Sequence, residues 1–340
     1  MVRVVCVWAL LFSLCLAGCS SPAHPVPAFA AAGAGAGAAV GVAQPVRLWQ
    51  DASIFQLVGG LIVSARARVL VEMYELGRPD IVRELGDAVA RGVAVRVITD
   101  PTVVASRHSA AALDTLRVPE RVYPVDDGRH QIDHAKLLIV DGEAVVGGMN
   151  WGNHSDRNHD YVLETHVTMD VDRLARIFEH DWSLAGGRPS PLAAASGEVA
   201  QTAPGEEIRS MLEMALNHAM RSALAEIYTL TDPEVIAELV EAHRRGAVVR
   251  VLLDPNQPYN LHAHAVLKAG AVEARWYPIP RGALLHAKIG LFDGELVLGS
   301  ANWTLSGLGV NHELDIETVD PTAVAAYEAR FAADWARSGG

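Results

Sequence analysis

Cysteine is nearly absent: Cys6, Cys15 and Cys19 are the whole set in 340 residues, and none follows position 19. The rest of the chain therefore has no disulfide, no thiolate nucleophile and no cysteine-held metal. Basic charge is also short, with 28 Lys and Arg against 40 Asp and Glu and a formal net charge of −12. That balance argues against a non-specific grip on nucleic acid, which rests on Lys and Arg neutralising phosphates, although a basic cleft can sit inside an acidic protein. No metal-ligand pattern stands out, and no cofactor is called for. What is present is ordinary globular material, 50% hydrophobic and 20% charged, in a chain long enough for two domains.

The cysteines cluster for a reason. Arg3 precedes the apolar run VVCVWALLFSLCLAG, which is too short for a comfortable membrane span. The run ends in Leu16-Ala17-Gly18-Cys19-Ser20, which resembles the lipobox of bacterial lipoprotein signal peptides. The resemblance implies removal of residues 1–18 and lipid attachment at Cys19. It also implies an extracytoplasmic protein anchored to a bacterial membrane, and Ser20 after the cysteine suits the outer membrane where two membranes exist. Residues 19–45, rich in Ala, Gly and Pro, read as a flexible tether. A second small-residue run, 189–205, reads as a linker between domain 1 (46–188) and domain 2 (206–340).

These two domains repeat one design. VEMYELGRPDIV aligns with AEIYTLTDPEVI, and RGVAVRVITDP with RGAVVRVLLDP, both at an offset of 154. The offset falls to 152 at HAKLLIVDGEAVVGGMN and HAKIGLFDGELVLGSAN, and becomes 153 at NHDYVLE and NHELDIE. Such a repeat is a duplicated domain, far too long for a solenoid unit. Within each copy, ARVLVEMY and VAVRVITD alternate like strands and DIVRELGDAVARG is an amphipathic helix. HAKLLIVDGEAVVGG reads as two strands joined by an Asp-Gly turn, and DVDRLARIFEHDWSL closes the half as a helix. The expected class is α/β, with two mixed sheets flanked by helices.

On a strand, His134 and Lys136 share a face, as do His286 and Lys288. A lone His-x-Lys would mean an exposed polar strand. Its recurrence with matched Asp, Gly and Asn means more. The series His134, Lys136, Asp141, Gly147, Gly148, Asn150, Asn158, Asp160 and its partner His286, Lys288, Asp293, Gly299, Ser300, Asn302, Asn311, Glu313 resemble the motifs of the phospholipase D superfamily.

The resemblance implies a single active site at the interface of the halves, needing no metal. One imidazole forms a phosphohistidine while the other protonates the leaving alcohol and then activates water. His134 would be the nucleophile and His286 the general acid. Lys136, Lys288, Asn150, Asn302 and Ser300 would hold the phosphate oxygens. By the same resemblance Glu313 orients His286, and its counterpart in the first half is Asp160. Asp141 and Asp293, opening Asp-Gly turns, are structural supports of the motif. His154, His159, His262, His264 and His312 read as surface or supporting residues.

The substrate remains open on sequence. A phospholipid such as phosphatidylcholine or phosphatidylethanolamine, met at the membrane surface through the lipid anchor, leads. A nuclease is the alternative, for which Arg129, Arg157, Arg275 and Arg281 could supply a basic strip. A cardiolipin synthase-like transphosphatidylase and a non-catalytic lipoprotein come next. With both motifs in one chain, a monomer is expected.

Overall fold

The computed structural model describes residues 45–188, 191–193, 199–202 and 207–339. The expected signal peptide (1–18), Cys19 and nearly all of the 19–45 tether lie outside the described residues.

In the first half the chain runs through β1 (Val46–Gln50), α1 (Ser53–Ser64), β2 (Arg68–Met73), α2 (Pro79–Ala90), β3 (Ala94–Thr99) and α3 (Val104–Thr115). It continues through β4 (Glu120–Val122), β5 (Lys136–Val140), β6 (Glu143–Gly147), β7 (Tyr161–Thr165) and α4 (Thr168–Ala185). The second half repeats this with β8 (Val199–Gln201), α5 (Glu207–His218), β9 (Ser222–Ile227), α6 (Pro233–Arg244), β10 (Val248–Leu253) and α7 (Asn260–Ala269). It ends with β11 (Glu273–Trp276), β12 (Lys288–Phe292), β13 (Glu295–Gly299), β14 (Leu314–Thr318) and α8 (Pro321–Arg337).

Each half is a seven-stranded mixed sheet, ordered β1-β7-β6-β5-β2-β3-β4 and β8-β14-β13-β12-β9-β10-β11. The β2, β3 and β4 strands are parallel, joined by helical crossovers, while β5, β6 and β7 add on antiparallel. Local chemistry sets the boundaries. Pro233 and Pro321 start α6 and α8, and Asp232 and Asp320 cap them by accepting backbone N–H groups. One difference from expectation concerns the linker. Val199–Gln201 is a strand, pairing antiparallel with β14 as β1 pairs with β7. Both additions cover an edge that would otherwise offer unpaired backbone groups.

The strands carrying the motif lysines, β5 and β12, are buried at every position, because each sheet is covered on both faces. Leu137 and Ile139 face a core shared with Ile289 and Leu291 of the other sheet. Leu138 and Val140 face the outer helices of their own half. The shared core makes the two halves one body and brings their histidine motifs together.

Candidate active site

Each motif is built by the same local device. β5 and β6 are joined by the two-residue turn Asp141-Gly142, with Val140 opposite Glu143. Asp141 takes a positive φ of 51° and its carboxylate accepts the backbone N–H groups of Arg66, Ala67 and Arg68 at 2.9–3.0 Å. Asp293 does the same for Met220, Arg221 and Ser222. Both aspartates thus tie the far end of the hairpin to the start of its neighbouring strand, in keeping with their reading as supports.

At the other end of each hairpin, the residues before the histidine leave their own sheet and pair with the opposite half. His134 N donates to His312 O and His312 N to Ile132 O. In mirror image, His286 N donates to His159 O and His159 N to Leu284 O, all at 2.8–2.9 Å. Asp100 and Asp254, at the ends of β3 and β10, pin these segments by accepting from Asp133 N and Leu285 N at 2.7 Å.

This exchange overturns one expectation. Glu313 does not orient His286; its Oε2 lies 2.9 Å from His134 Nδ1. Asp160, expected behind His134, instead lies 2.7 Å from His286 Nδ1. The cause is the pairing just described: a chain that binds His312 to the segment preceding His134 delivers the next residue, Glu313, to the His134 ring. In both rings Nδ1–H donates to the carboxylate, which leaves Nε2 as the reactive nitrogen.

Ser300 is the second correction. It was expected on phosphate, but its buried hydroxyl donates to Glu313 Oε2 at 2.5 Å and accepts from Leu314 N at 3.0 Å. Asn311 Nδ2 donates to Oε1 of the same carboxylate. Ser300 therefore holds the buttress of His134. Across the pseudo-twofold its place is taken by Gly148, where a Cβ would sit 2.3 Å from Asp160 Oδ1. The shorter carboxylate fills the room that the missing side chain leaves. Asn150 and Asn302 stay half-buried, each with an Oδ1 that no hydrogen bond reaches among the described residues.

Both histidines and both lysines are buried. Lys136 Nζ donates to the carbonyl of His134, and Lys288 Nζ to that of His286 while lying 3.0–3.1 Å from both nitrogens of its ring. Burial lowers the His286 pKa to about 4, helped by the Lys288 charge. Burial also lowers His134, though the Glu313 charge opposes it. Lys136 falls to about 7 and Lys288 to about 8, burial again leading. Burial pushes Glu313 up, yet the His134 ring, Lys136 and Ser300 outweigh it and keep its carboxyl below the usual range. The four groups feel one another across the halves: Lys288 depresses His134, and Lys136 depresses His286.

Sequence reasoning passed over several contributors. Tyr74 stands edge-on to His134 with ring centres 4.8 Å apart, and Tyr228 lies 4.7 Å from His286. Each also lies beneath a lysine ammonium, at 4.9 and 5.0 Å. Their repetition at an offset of 154 was the available signal, as it was for Asp100 and Asp254. A second signal was scarcity. The chain has three lysines, Lys136, Lys268 and Lys288, and two of them are in this site. Of the other histidines, His154 and His262 are exposed and His264 is half-buried against Trp276, whereas His159 and His312 are buried between the halves.

An imidazole backed by a carboxylate from the opposite half and flanked by a buried lysine occurs once in each half of a duplicated fold. The family described as cardiolipin synthase, PLD-like domain, matches residues 59–182 and again 212–335. The chain belongs to the phospholipase D superfamily. A probable cardiolipin synthase of Bacillus subtilis is 24% identical over 234 residues, 61% of this chain and 46% of that protein. A mitochondrial cardiolipin hydrolase of Danio rerio is 31% identical over 115 residues, 33% of this chain and 50% of that protein. The chain spans about half the length of the curated relatives it matches. Among solved structures, a phosphatidylserine synthase of Haemophilus influenzae shares the fold, with a TM-score of 0.69 over 86% of each chain at 11% identity.

Proposed function

We propose that this member of the superfamily is a phosphodiesterase acting on glycerophospholipids, with His134 as nucleophile and His286 as general acid. The observation that carries the reading is the crossed pair of buttressed imidazoles. His286 takes up a proton at Nε2 as the anionic phosphate settles beside it; His134 Nε2 then attacks phosphorus while the bond to the head-group oxygen breaks and His286 gives that oxygen the proton. Water then attacks the phosphorus, His286 takes its proton, the P–N bond breaks, and phosphatidic acid leaves. Lys136 and Lys288 offset the charge gathering on the non-bridging oxygens, with the amides of Asn150 and Asn302 as donors beside them. Glu313, kept anionic by the His134 ring, Lys136 and Ser300 and held in place by Ser300 and Asn311, suits the ring that must carry positive charge as the covalent intermediate forms.

The lipid substrate is favoured over nucleic acid by the acidic balance of the chain, a formal net charge of −12, and by the withdrawal of Arg275 from the surface strip. Arg275 is spent on the carbonyl of Trp335 and on its ring, 4.1 Å away. Arg129, with one contact to the carbonyl of Gly309, stays exposed, as do Arg157 and Arg281, so these three would serve the nuclease reading. A cavity of about 710 Å³, lined by Glu75, Asn153, His154, Asn158 and Asn256, offers a polar and partly acidic place for a hydroxyl-bearing or cationic head group. The relatives named for cardiolipin keep transfer to a second lipid alcohol as the other reading. Lipidation of Cys19, outside the cytoplasm, would hold the site at its substrate.

The deciding assay offers the purified protein vesicles containing phosphatidylglycerol, cardiolipin or phosphatidylethanolamine, with single-stranded DNA in parallel. Phosphatidic acid and free head group are expected. Cardiolipin made from phosphatidylglycerol would replace hydrolysis with transfer, and cleavage of DNA alone would overturn the lipid reading. His134→Ala and His286→Ala should each cost about 10²–10⁴-fold or more, and activity surviving both would remove the mechanism. Labelled intermediate trapped by denaturation should survive in His286→Ala and vanish in His134→Ala.

A further inference from the structure

His159 and His312 each enter a buried pocket of carboxylates in the opposite half, and the two pockets are not equivalent. His159 lies 3.0 Å from Glu226 and 3.3 Å from Asp334 through Nε2, and 2.6 Å from Asp51 through Nδ1. Its ring stacks on Tyr277. This pocket carries its own cation. The Arg330 guanidinium reaches Asp334 at 2.7 Å and Asp51 at 3.0 Å, and the Tyr161 hydroxyl donates to Glu226 at 2.7 Å.

His312 repeats the geometry, with Nε2 at 3.2 Å from Glu72 and 3.1 Å from Asp181 and its ring stacked on Tyr123. The compensating groups, however, have gone. Aligned on the repeat, Arg330 becomes Ile177 and Tyr161 becomes Leu314, while Leu285 becomes Asp133. One cation and one hydroxyl donor are lost while the carboxylates stay at three, Asp133 standing in for Asp51, and Glu72, Asp133, Asp181 and His312 are all buried. Apart from His312 Nε2, no hydrogen-bond donor among the described residues reaches either oxygen of Glu72, either oxygen of Asp181 or Oδ2 of Asp133. One imidazole facing three buried carboxylates leaves negative charge uncompensated, which is costly, so such a group calls for something more that balances it.

We propose that Glu72, Asp133 and His312, with Asp181 as fourth donor, bind a divalent transition-metal ion that staples the two halves behind the active site. One donor atom from each of Glu72, Asp133 and His312 lies within 4.8 Å of the others. Metal–ligand bonds of about 2.0–2.2 Å need donors no more than about 4.4 Å apart, so small side-chain adjustments close the shell. One imidazole nitrogen among carboxylate oxygens suits Zn²⁺ or Mn²⁺. The Gln201 amide nitrogen faces His312 Nδ1 at 3.4 Å, so a metal-bound ring, protonated at Nδ1, requires that amide to turn and present Oε1. Glu72, Asp133 and Asp181 come from the first half and His312 from the second. Asp133 and His312 adjoin His134 and Glu313, so the ion would fix the nucleophile's strand without touching substrate. The rival device is protons alone, since burial and mutual repulsion push Glu72 to about 7 and Asp133 well above the usual carboxylate range.

The test is metal analysis of the untagged full chain, made in medium supplemented with zinc and manganese. About one equivalent per chain is expected, with removal by chelator lowering Tm and re-addition of zinc or manganese alone restoring it. Asp133→Leu, which installs the residue of the other half, should lower metal content about tenfold or more and abolish the metal-dependent shift in Tm. If that variant does not fold, Glu72→Gln replaces it in the same two measurements. Wild-type protein that carries no metal and whose Tm ignores both ions would leave protons as the balancing charge and overturn the proposal. Metal retained in a folded Asp133→Leu would overturn this location.

Discussion

Gly148 and Asp160 form a unit to which Ser300 and Glu313 are a second solution. A side chain at 148 would collide with the Asp160 carboxylate, whereas Ser300 donates to the longer Glu313. Gly148→Ser alone should push Asp160 off His286 and lower kcat/KM about 10–100-fold. Adding Asp160→Glu should recover most of that loss, a coupling of about 1–3 kcal/mol in a double-mutant cycle. Additive losses would show that the two positions act separately. The lysines set a pH limit at the same scale. Lys136 loses its proton near pH 7 and Lys288 near 8, so kcat/KM should fall above about pH 7 as the phosphate clamp loses charge. On the acid side the limb belongs to His134, which must be neutral to attack and whose pKa burial lowers, so activity should persist below the ordinary imidazole range. Lys136→Arg, which cannot lose its proton in this range, should lower the plateau but carry the alkaline limb upward.

At the scale of elements, the hairpin of each motif is held at its far end by one aspartate accepting three backbone N–H groups. Asp141→Ala should destabilise the protein by about 2–4 kcal/mol in urea unfolding and leave the kcat of the folded fraction within a few-fold of wild type. A loss of kcat without loss of stability would mean that the turn reaches the chemistry after all. This much was legible from the sequence, because an Asp-Gly turn between alternating strands is a local signal. So were the duplication, the α/β layers and the four His and Lys side chains. The crossing of Glu313 and Asp160 was not. It depends on backbone pairing between segments far apart in the chain, separated by 179 residues from His134 to Glu313 and by 126 from Asp160 to His286, and no periodicity encodes that. For the same reason His159 and His312 read as peripheral: their partners Glu226 and Glu72 sit on β9 and β2 of the opposite half. The short edge strands β1 and β8 escaped notice because five and three residues carry too little pattern to separate from a tether or linker.

Over the whole molecule, the interior buries acids as well as hydrophobic surface, and this shapes stability against pH. Asp315 is fully buried on β14, accepting from Ala301 N at 3.0 Å, and burial raises its pKa to about 8. The folded protein therefore holds a proton there that the unfolded chain releases near pH 4. Its contribution is complete below about pH 4 and is lost as pH rises towards 8, at up to about 1.4 kcal/mol per pH unit. Asp315→Asn should flatten that decline, raising Tm at pH 8 much more than at pH 5. An equal change at both values would show that Asp315 is ionised throughout.

The exchange of strands around His134 and His286 also has a historical consequence. A single ancestral half, folded alone, would present a histidine without its carboxylate and a carboxylate without its histidine. Two identical copies related by a twofold axis would satisfy both, which makes a symmetric dimer the natural forerunner of the joined gene. In such a dimer every change at one position strikes both sites at once. Only after fusion could Gly148 with Asp160 and Ser300 with Glu313 part company, and one imidazole be tuned for attack while the other was tuned for proton transfer.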